Sequence, residues 1–358
     1  MRIIALFLLL CCLTVTTAEA GRRKKTPKRA SPPTLVEMID RAKKKIASQS
    51  VGTSKIGGDY AVLAAWKKGT STLAVVKVRK GRSVTKGYEV TLLKRNGVNS
   101  EYRVDKPEGW VVLALKTNVR ARMGRGKKRA VSAVYAPYGE HLDDAALIKS
   151  GRRYLIDLVE RAAKKLNTLD VDSKVDASKR VTDTVSSKIL VTLLVIEHIS
   201  PDDFDARGAR ATANRVFSLV GANREDAYDY AVSDAKAGGI AQFISETYAY
   251  TRDRYDEAKL KEGFVAGMRD HCNAAMAQYC LADWSIKQLS DQAYGRLAKN
   301  EEDLGAFIAA AYNGGEKRAA KAYVADTDHW EESGHGLAGG TVIYVREFRA
   351  VYRYLWGP

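Results

Sequence analysis

Eight consecutive residues, Ile189–Ile196 (ILVTLLVI), carry a single polar side chain, and a carboxylate, Glu197, follows them directly. The run lies within Val181–Ser200, which reads as one helix, with Asp183 or Thr184 able to accept from its first free N–H groups. A helix that is apolar on nearly every side cannot lie on a surface, so this one predicts a helical core closed around it. Glu197, at its end, is expected to hold its proton tightly. Apolar surroundings disfavour the ionised form, and the negative end of the helix dipole repels a carboxylate. A glutamate tuned upward in this way can act as a general acid near neutral pH. The plain alternative is a head group that simply reaches solvent at a helix end.

The rest of the chain divides around this helix. With 358 residues, it is longer than one ordinary domain requires. Arg2, the apolar run Ile3–Leu13 and the sequence Ala18-Glu19-Ala20 read as a signal peptide over residues 1–20. The run is short for a membrane span, although a short N-terminal anchor is the alternative. A lipoprotein signal at Cys11 fits less well, because Leu10 stands where a small residue is expected. Residues 21–54 form a basic, proline-containing linker followed by a short helix, with Leu35, Met38, Ile39 and Ala42 at helical spacing.

Residues 55–140 change character: glycines separate short β-branched and aromatic runs at Tyr60–Trp66, Leu73–Val78, Tyr88–Leu93, Trp110–Leu115 and Val131–Tyr135. That pattern predicts an antiparallel β domain with tight turns such as Arg95-Asn96-Gly97. Residues 141–180 carry a helical stripe (Leu147, Ile148, Leu155, Ile156, Leu158, Val159, Ala162, Leu166) and read as a connector. From 181 to 358 the chain is Ala-rich with helical period. The expected fold class is α+β and multidomain: a small antiparallel β domain followed by a mainly α-helical domain.

The net charge is +17, and removal of residues 1–20 leaves it there. Such a charge favours polyanionic partners. In a secreted chain the nearest polyanion is the bacterial wall, with its peptide carboxylates and polymer phosphates. Nucleic acid is not expected, because basic stretches such as Val76-Lys77-Val78-Arg79 have no aromatic residues between them. The two cysteines beyond the signal peptide, Cys272 and Cys280, are eight residues apart. On one helix that is roughly 12 Å, too far for a disulfide, so free thiols are expected. His141, His198, His271, His329 and His335 show no metal-ligand spacing. No metal and no cofactor is expected.

Three further blocks bear on chemistry. Ala231–Thr247 (AVSDAKAGGIAQFISET) combines small residues with Ser233 and Gln242. Small residues let backbone approach a sugar closely, and an amide can donate and accept to its hydroxyl or N-acetyl groups. Ala309–Arg318 (AAAYNGGEKR) places Tyr312 and Asn313 where a helix should stop at Gly314-Gly315. An aromatic face beside an amide suits a pyranose ring. Thr341–Phe348 (TVIYVREF) presents Tyr344 near the end of the chain.

Together with Glu197, and in this order, these blocks resemble the soluble lytic transglycosylases of lysozyme-like fold. That family's patterns read S-x-x-G-A-x-G-L-x-Q-x-x-x-x-T, A-A-Y-N-A-G-x-x-R-V and T-x-x-Y-V. The resemblance covers about residues 181–356. It implies peptidoglycan glycan strands as substrate, and other anionic wall polymers as further partners, in the periplasm or cell wall after export across the inner membrane. It implies Glu197 as the catalytic acid and base, with Ser233, Gln242, Tyr312, Asn313 and Tyr344 lining the sugar cleft.

The chain departs from the family in three places. His198 follows Glu197 where the family has serine. A segment at Asp205–Tyr230, within the 36 residues from Glu197 to Ser233, reads as an inserted helix that forms a lid or wall of the cleft. Ile244-Ser245-Glu246 replaces a more common Met-Pro pair.

Ordinary glycosidases use two carboxylates. Asp202, Asp203, Asp234 and Glu246 are close in sequence, but each reads as a loop or capping residue. The resemblance therefore implies a single acid. Glu197 protonates the oxygen between N-acetylmuramic acid and N-acetylglucosamine. It then takes the proton of the muramoyl 6-hydroxyl as that oxygen closes a 1,6-anhydro ring. The alternatives are a wall-binding or scaffold protein that keeps the fold without catalysis, a hydrolase that uses water, and a secreted basic protein that binds nucleic acid or anionic membrane.

Overall fold

The computed structural model describes residues 33–120, 130–233 and 235–357. The expected signal peptide, most of the basic linker and Asp234 lie outside the described residues. The first described helix, α1 (Leu35–Ala47), begins at a capping box in which Thr34 and Glu37 satisfy each other's backbone N–H. Met38, Ile39, Ala42 and Ile46 are its buried stripe.

Seven strands follow among the described residues: β1 (Ala61–Lys67), β2 (Leu73–Arg79), β3 (Arg82–Ser83), β4 (Glu89–Lys94), β5 (Glu101–Lys106), β6 (Trp110–Arg120) and β7 (Ala130–Tyr135). Five make an antiparallel sheet in the order β3-β2-β1-β6-β7, and β4 pairs with β5 in a separate ribbon. The central strand shows why its sequence, AVLAAWK, lacks alternation. Side chains alternate across a strand, so Val62 and Ala64 face one way and Ala61, Leu63 and Ala65 the other. The first pair packs with the α1 stripe. The second set packs with Val90, Tyr102 and Val104 of the ribbon. Covered on both faces, β1 is apolar from Ala61 to Trp66.

The sequence reading missed β5, and the expected turn at Arg95-Asn96-Gly97 is a longer connection containing a 3-10 turn at Gly97–Asn99. In EYRVDK only Tyr102 and Val104 point inward, so the strand looks polar.

The helical part comprises α2 (Ala145–Thr168), α3 (Val181–Thr184), α4 (Ser187–Ile196), α5 (Pro201–Asn223), α6 (Ser245–Arg254), α7 (Phe264–Arg269), α8 (His271–Ile286), α9 (Asp291–Leu297), α10 (Glu301–Gly314), α11 (Glu316–Ala325) and α12 (Gly339–Trp356). The helix read as a connector, α2, belongs to this core: Leu155, Leu158, Val159, Ala162 and Leu166 are all fully buried in it. It crosses α5 at closest range, where a Cβ on Gly151 would lie 1.9 Å from the Phe217 carbonyl oxygen. Only glycine permits that approach.

The segment expected to be a lid or wall of the cleft, Asp205–Tyr230, is largely packed into the core. α5 is bent at Gly208 (φ 77°), and beyond the bend Ala213, Val216, Phe217 and Val220 are buried. Its first turn carries Asp205, which pairs with Arg346 of α12 at 2.6 Å. Cys272 and Cys280 are free thiols on α8, the second buried. Among the described residues no helix is long and apolar enough to cross a membrane.

Candidate active site

The helix that carries Glu197 is shorter than the sequence suggested. The chain turns through α3, runs extended at Val185, and restarts as α4 with Ser186, not Asp183 or Thr184, capping it. The break has a cause outside the segment. The Thr184 hydroxyl donates to Asp283 on α8, as do Ser173 and Tyr255, so Thr184 is drawn away from a continuous helix. Ile189–Ile196 is buried throughout, as expected. Its one polar side chain, Thr192, donates to the Lys188 carbonyl and accepts from the Trp356 indole at 3.1 Å. Seven buried aliphatic side chains on α4, each contributing about 2 kcal/mol, fix where its last residue stands.

That last residue, at the C-cap, is Glu197, half-buried. The Tyr344 hydroxyl donates to its Oε1. Burial pushes the Glu197 carboxyl up to about 8. The Tyr344 bond opposes that rise, and the nearby Glu347 carboxyl adds to it. Glu197 therefore carries a proton at neutral pH, the state a general acid requires.

His198 faces the other way. Its ring stacks on Tyr228 with centroids 3.4 Å apart. Its Nε2 lies 2.9 Å from the Ile240 carbonyl oxygen. A carbonyl only accepts, so Nε2 carries the hydrogen and donates. Burial lowers the imidazole to about 3, so the ring is neutral. It is a tether on the loop at 237–243 and supplies no charge.

That loop is tightly folded. Gly238 N–H donates to the Phe243 carbonyl at 2.9 Å. Gly239 has φ +73°, and a Cβ there would lie 2.7 Å from the Met268 carbonyl oxygen. Gln242, also at positive φ (46°), turns its Nε2 back onto the Gly239 carbonyl at 2.7 Å. Its amide oxygen is left as the acceptor a ligand could use.

The remaining residues close the arrangement. Tyr312, in the last turn of α10, donates to the Ala241 carbonyl and packs edge-on against Phe243. Asn313 is exposed, and its Oδ1 accepts from the Thr341 hydroxyl at 2.9 Å. Tyr344 stands one turn further along α12. The hydrogen bonds make a circuit: α4 to the loop through His198, the loop to α10 through Tyr312, α10 to α12 through Asn313, and α12 back to α4 through Tyr344. All four blocks singled out in the sequence lie on it.

Ser233 does not join the circuit. It is exposed, and its Oγ accepts from Ala237 N–H within its own short loop. Asp203 pairs with Arg215 at 3.0 Å, and Glu246 accepts from Ser245 at 2.9 Å.

The sequence reading missed two buried acids. One is Asp283, fully buried, with four donors on its two oxygens: Ser173 Oγ (2.6 Å), Lys174 N (2.7 Å), Thr184 Oγ1 (2.5 Å) and Tyr255 Oη (2.7 Å). The other is Glu347, on the same face of α12 as Tyr344. Neither had a signal beyond an acid among apolar helical neighbours. A cavity of about 140 Å³ lies beyond His198, lined in part by Asn99, Tyr138, Asp203, Arg215 and Tyr228. Its polar groups already partner one another, as when Arg215 pairs with Asp203 and lies over the Tyr138 ring. Comparison with protein-family models, curated proteins and solved structures gave no match for this chain.

Proposed function

We propose that this protein is a peptidoglycan lytic transglycosylase with a helical catalytic part of lysozyme-like fold, working in the periplasm or cell wall. The observation that carries the reading is the Glu197 carboxyl, held by Tyr344 at the end of a buried helix, where burial raises its proton affinity. It stands in one hydrogen-bonded circuit with the loop of Gln242 and with Tyr312 and Asn313. Protonated Glu197 gives its proton to the glycosidic oxygen as the bond to the muramoyl anomeric carbon breaks. The carboxylate then takes the proton of the muramoyl 6-hydroxyl, whose oxygen attacks that carbon. One group serves both halves because its proton affinity lies near the working pH. The half-buried Tyr312 and the free amide oxygen of Gln242 offer a face and an acceptor to a sugar ring.

The test is solubilisation of purified sacculi by the wild type and by Glu197→Gln. The Gln variant keeps the shape and cannot shuttle a proton, so its rate should fall by at least about 100-fold. Equal rates in the two proteins would end this reading.

A further inference from the structure

The β2–β3 hairpin gathers positive charge where stability argues against it. Arg79 and Arg82 stand directly opposite each other in the register. Like charges so placed repel, and the pairing weakens the hairpin. The two residues between them, Lys80 (φ 51°) and Gly81 (φ 76°), both lie in the left-handed region. That is a two-residue hairpin turn whose first place asparagine or glycine fills with least strain. Lysine stands there instead, so backbone preference does not account for it. Lys77, Arg79, Lys80 and Arg82 are all exposed, and none is ion-paired among the described residues.

Two grooves flank the turn and meet at Lys80. One, of about 450 Å³, is lined by Gly52, Thr53, Tyr60, Arg79 and Lys80. The other, of about 530 Å³, lies toward the β4–β5 ribbon, with Lys80, Arg82, Tyr88 and Arg95 in its lining. The acids nearby are already taken. Asp59 pairs with Arg95 at 2.7 Å, Asp105 with Arg103 at 2.7 Å, and Glu89 with Lys106 at 3.0 Å. Arg79, Lys80 and Arg82 therefore keep their charge for a partner outside the chain.

We propose that this hairpin tip binds a strand of phosphodiester polymer in the bacterial wall, laid across the turn with its length in the two grooves. This rests on the reading of the protein as a wall enzyme. Three cations within four residues call for anions at similarly close spacing, which a phosphodiester backbone repeats along its length. The arginine fork matches a phosphate with two parallel hydrogen bonds. The stem-peptide carboxylates of peptidoglycan are set further apart, on side branches. A flat bilayer would touch the tip and leave the grooves empty. Bases find no open stacking platform, because the Tyr60 ring already carries the Lys55 ammonium, 5.4 Å from its centre, and Tyr88 packs edge-on against Trp110. None of these residues belongs to the circuit around Glu197, so the tether leaves the catalytic site open.

The test uses the full chain and isolated poly(glycerol phosphate), and is read without cleavage. Affinity is measured by calorimetry at about 0.15 M salt. Arg79→Gln, Lys80→Asn and Arg82→Gln together should weaken binding at least about tenfold. Lys164→Gln, Lys299→Gln and Lys321→Gln, which remove the same charge from exposed helical or helix-end positions, should weaken it less than about threefold. Lys80→Asn alone should weaken binding while raising the melting temperature, since asparagine suits the turn. Equal losses in the two triple variants would mean that net charge alone holds the polymer, and would overturn the proposal. So would no binding by the wild type, equal affinity for poly-glutamate, tighter binding to poly-uridylate, or hairpin-dependent binding to phosphatidylglycerol vesicles in place of the polymer. The cleavage assay separately decides the assignment of function.

Discussion

The Tyr344 hydroxyl donates to Glu197 Oε1, a bond between residues 147 positions apart that joins the first site segment to the last. Tyrosine donates to the carboxyl in either protonation state, so the bond orients Glu197 before and after its proton leaves. The helix beneath Glu197 supplies burial, and Tyr344 supplies direction.

Glu197 predicts a pH dependence of stability that needs no substrate. Its carboxyl is raised from 4.5 to about 8 in the fold. Below the ordinary value both folded and unfolded chains hold the proton, and nothing is lost. Between the two values only the folded chain holds it, so stability falls as pH rises through that window. Glu197→Gln removes the titration. Relative to wild type, its melting temperature should rise progressively between about pH 5 and about pH 8 and then level off. The same difference at both ends of that range, in parallel thermal melts, would contradict the raised proton affinity.

His198 tethers the loop at 237–243 through one neutral hydrogen bond. His198→Ala should cost about 1–3 kcal/mol, as expected when a buried carbonyl loses its donor. The amides of residues 239–243 should exchange faster with solvent, and glycan cleavage should slow, with Glu197 untouched. Loop amides that exchange at the wild-type rate would show that the histidine merely fills space.

Asp283 holds Ser173, Lys174, Thr184 and Tyr255 from the centre of α8. Asp283→Ala would leave four buried or part-buried donors without their acceptor. A loss of about 3–5 kcal/mol is expected in urea unfolding, since each buried donor left unpaired costs about 1–3 kcal/mol and relaxation recovers part of the sum. A loss below about 1 kcal/mol would mean that water replaces the carboxylate at little cost.

The β-rich region offers Lys77, Arg79, Lys80 and Arg82, all exposed and none ion-paired among the described residues. Lys77→Glu, Arg79→Glu and Lys80→Glu together should weaken retention on sacculi and flatten its dependence on salt, which screens such charges over about 8–10 Å. Cleavage of short soluble glycans should be unaffected. Unchanged retention in a co-sedimentation assay would remove this surface from the account.

The parts legible in the sequence are those set by local pattern. The apolar run Ile189–Ile196 needed a closed core and has one. The stripe of α1 and most strands lie close to where their periodicity put them. The parts that were not legible are set by distant partners. α3 and α4 read as one helix because nothing between residues 181 and 200 reveals the pull of Asp283 on Thr184. Asp205–Tyr230 read as a lid or wall because the polar start of α5 hides a second half that is buried. Nothing in the sequence marked Glu347, and it is buried where α12 packs into the helical core. Ser233 matched a motif by spacing, and its hydroxyl is engaged in its own turn.

The most direct test of the central claim is the mass of the muramic ends released from purified sacculi. If Glu197 recovers the proton of the muramoyl 6-hydroxyl, the products carry 1,6-anhydro ends, lighter by one water than those of hydrolysis, and Glu197→Gln releases almost none. Reducing muramic ends as the main product would mean that water attacks the anomeric carbon, and would contradict the single-acid account.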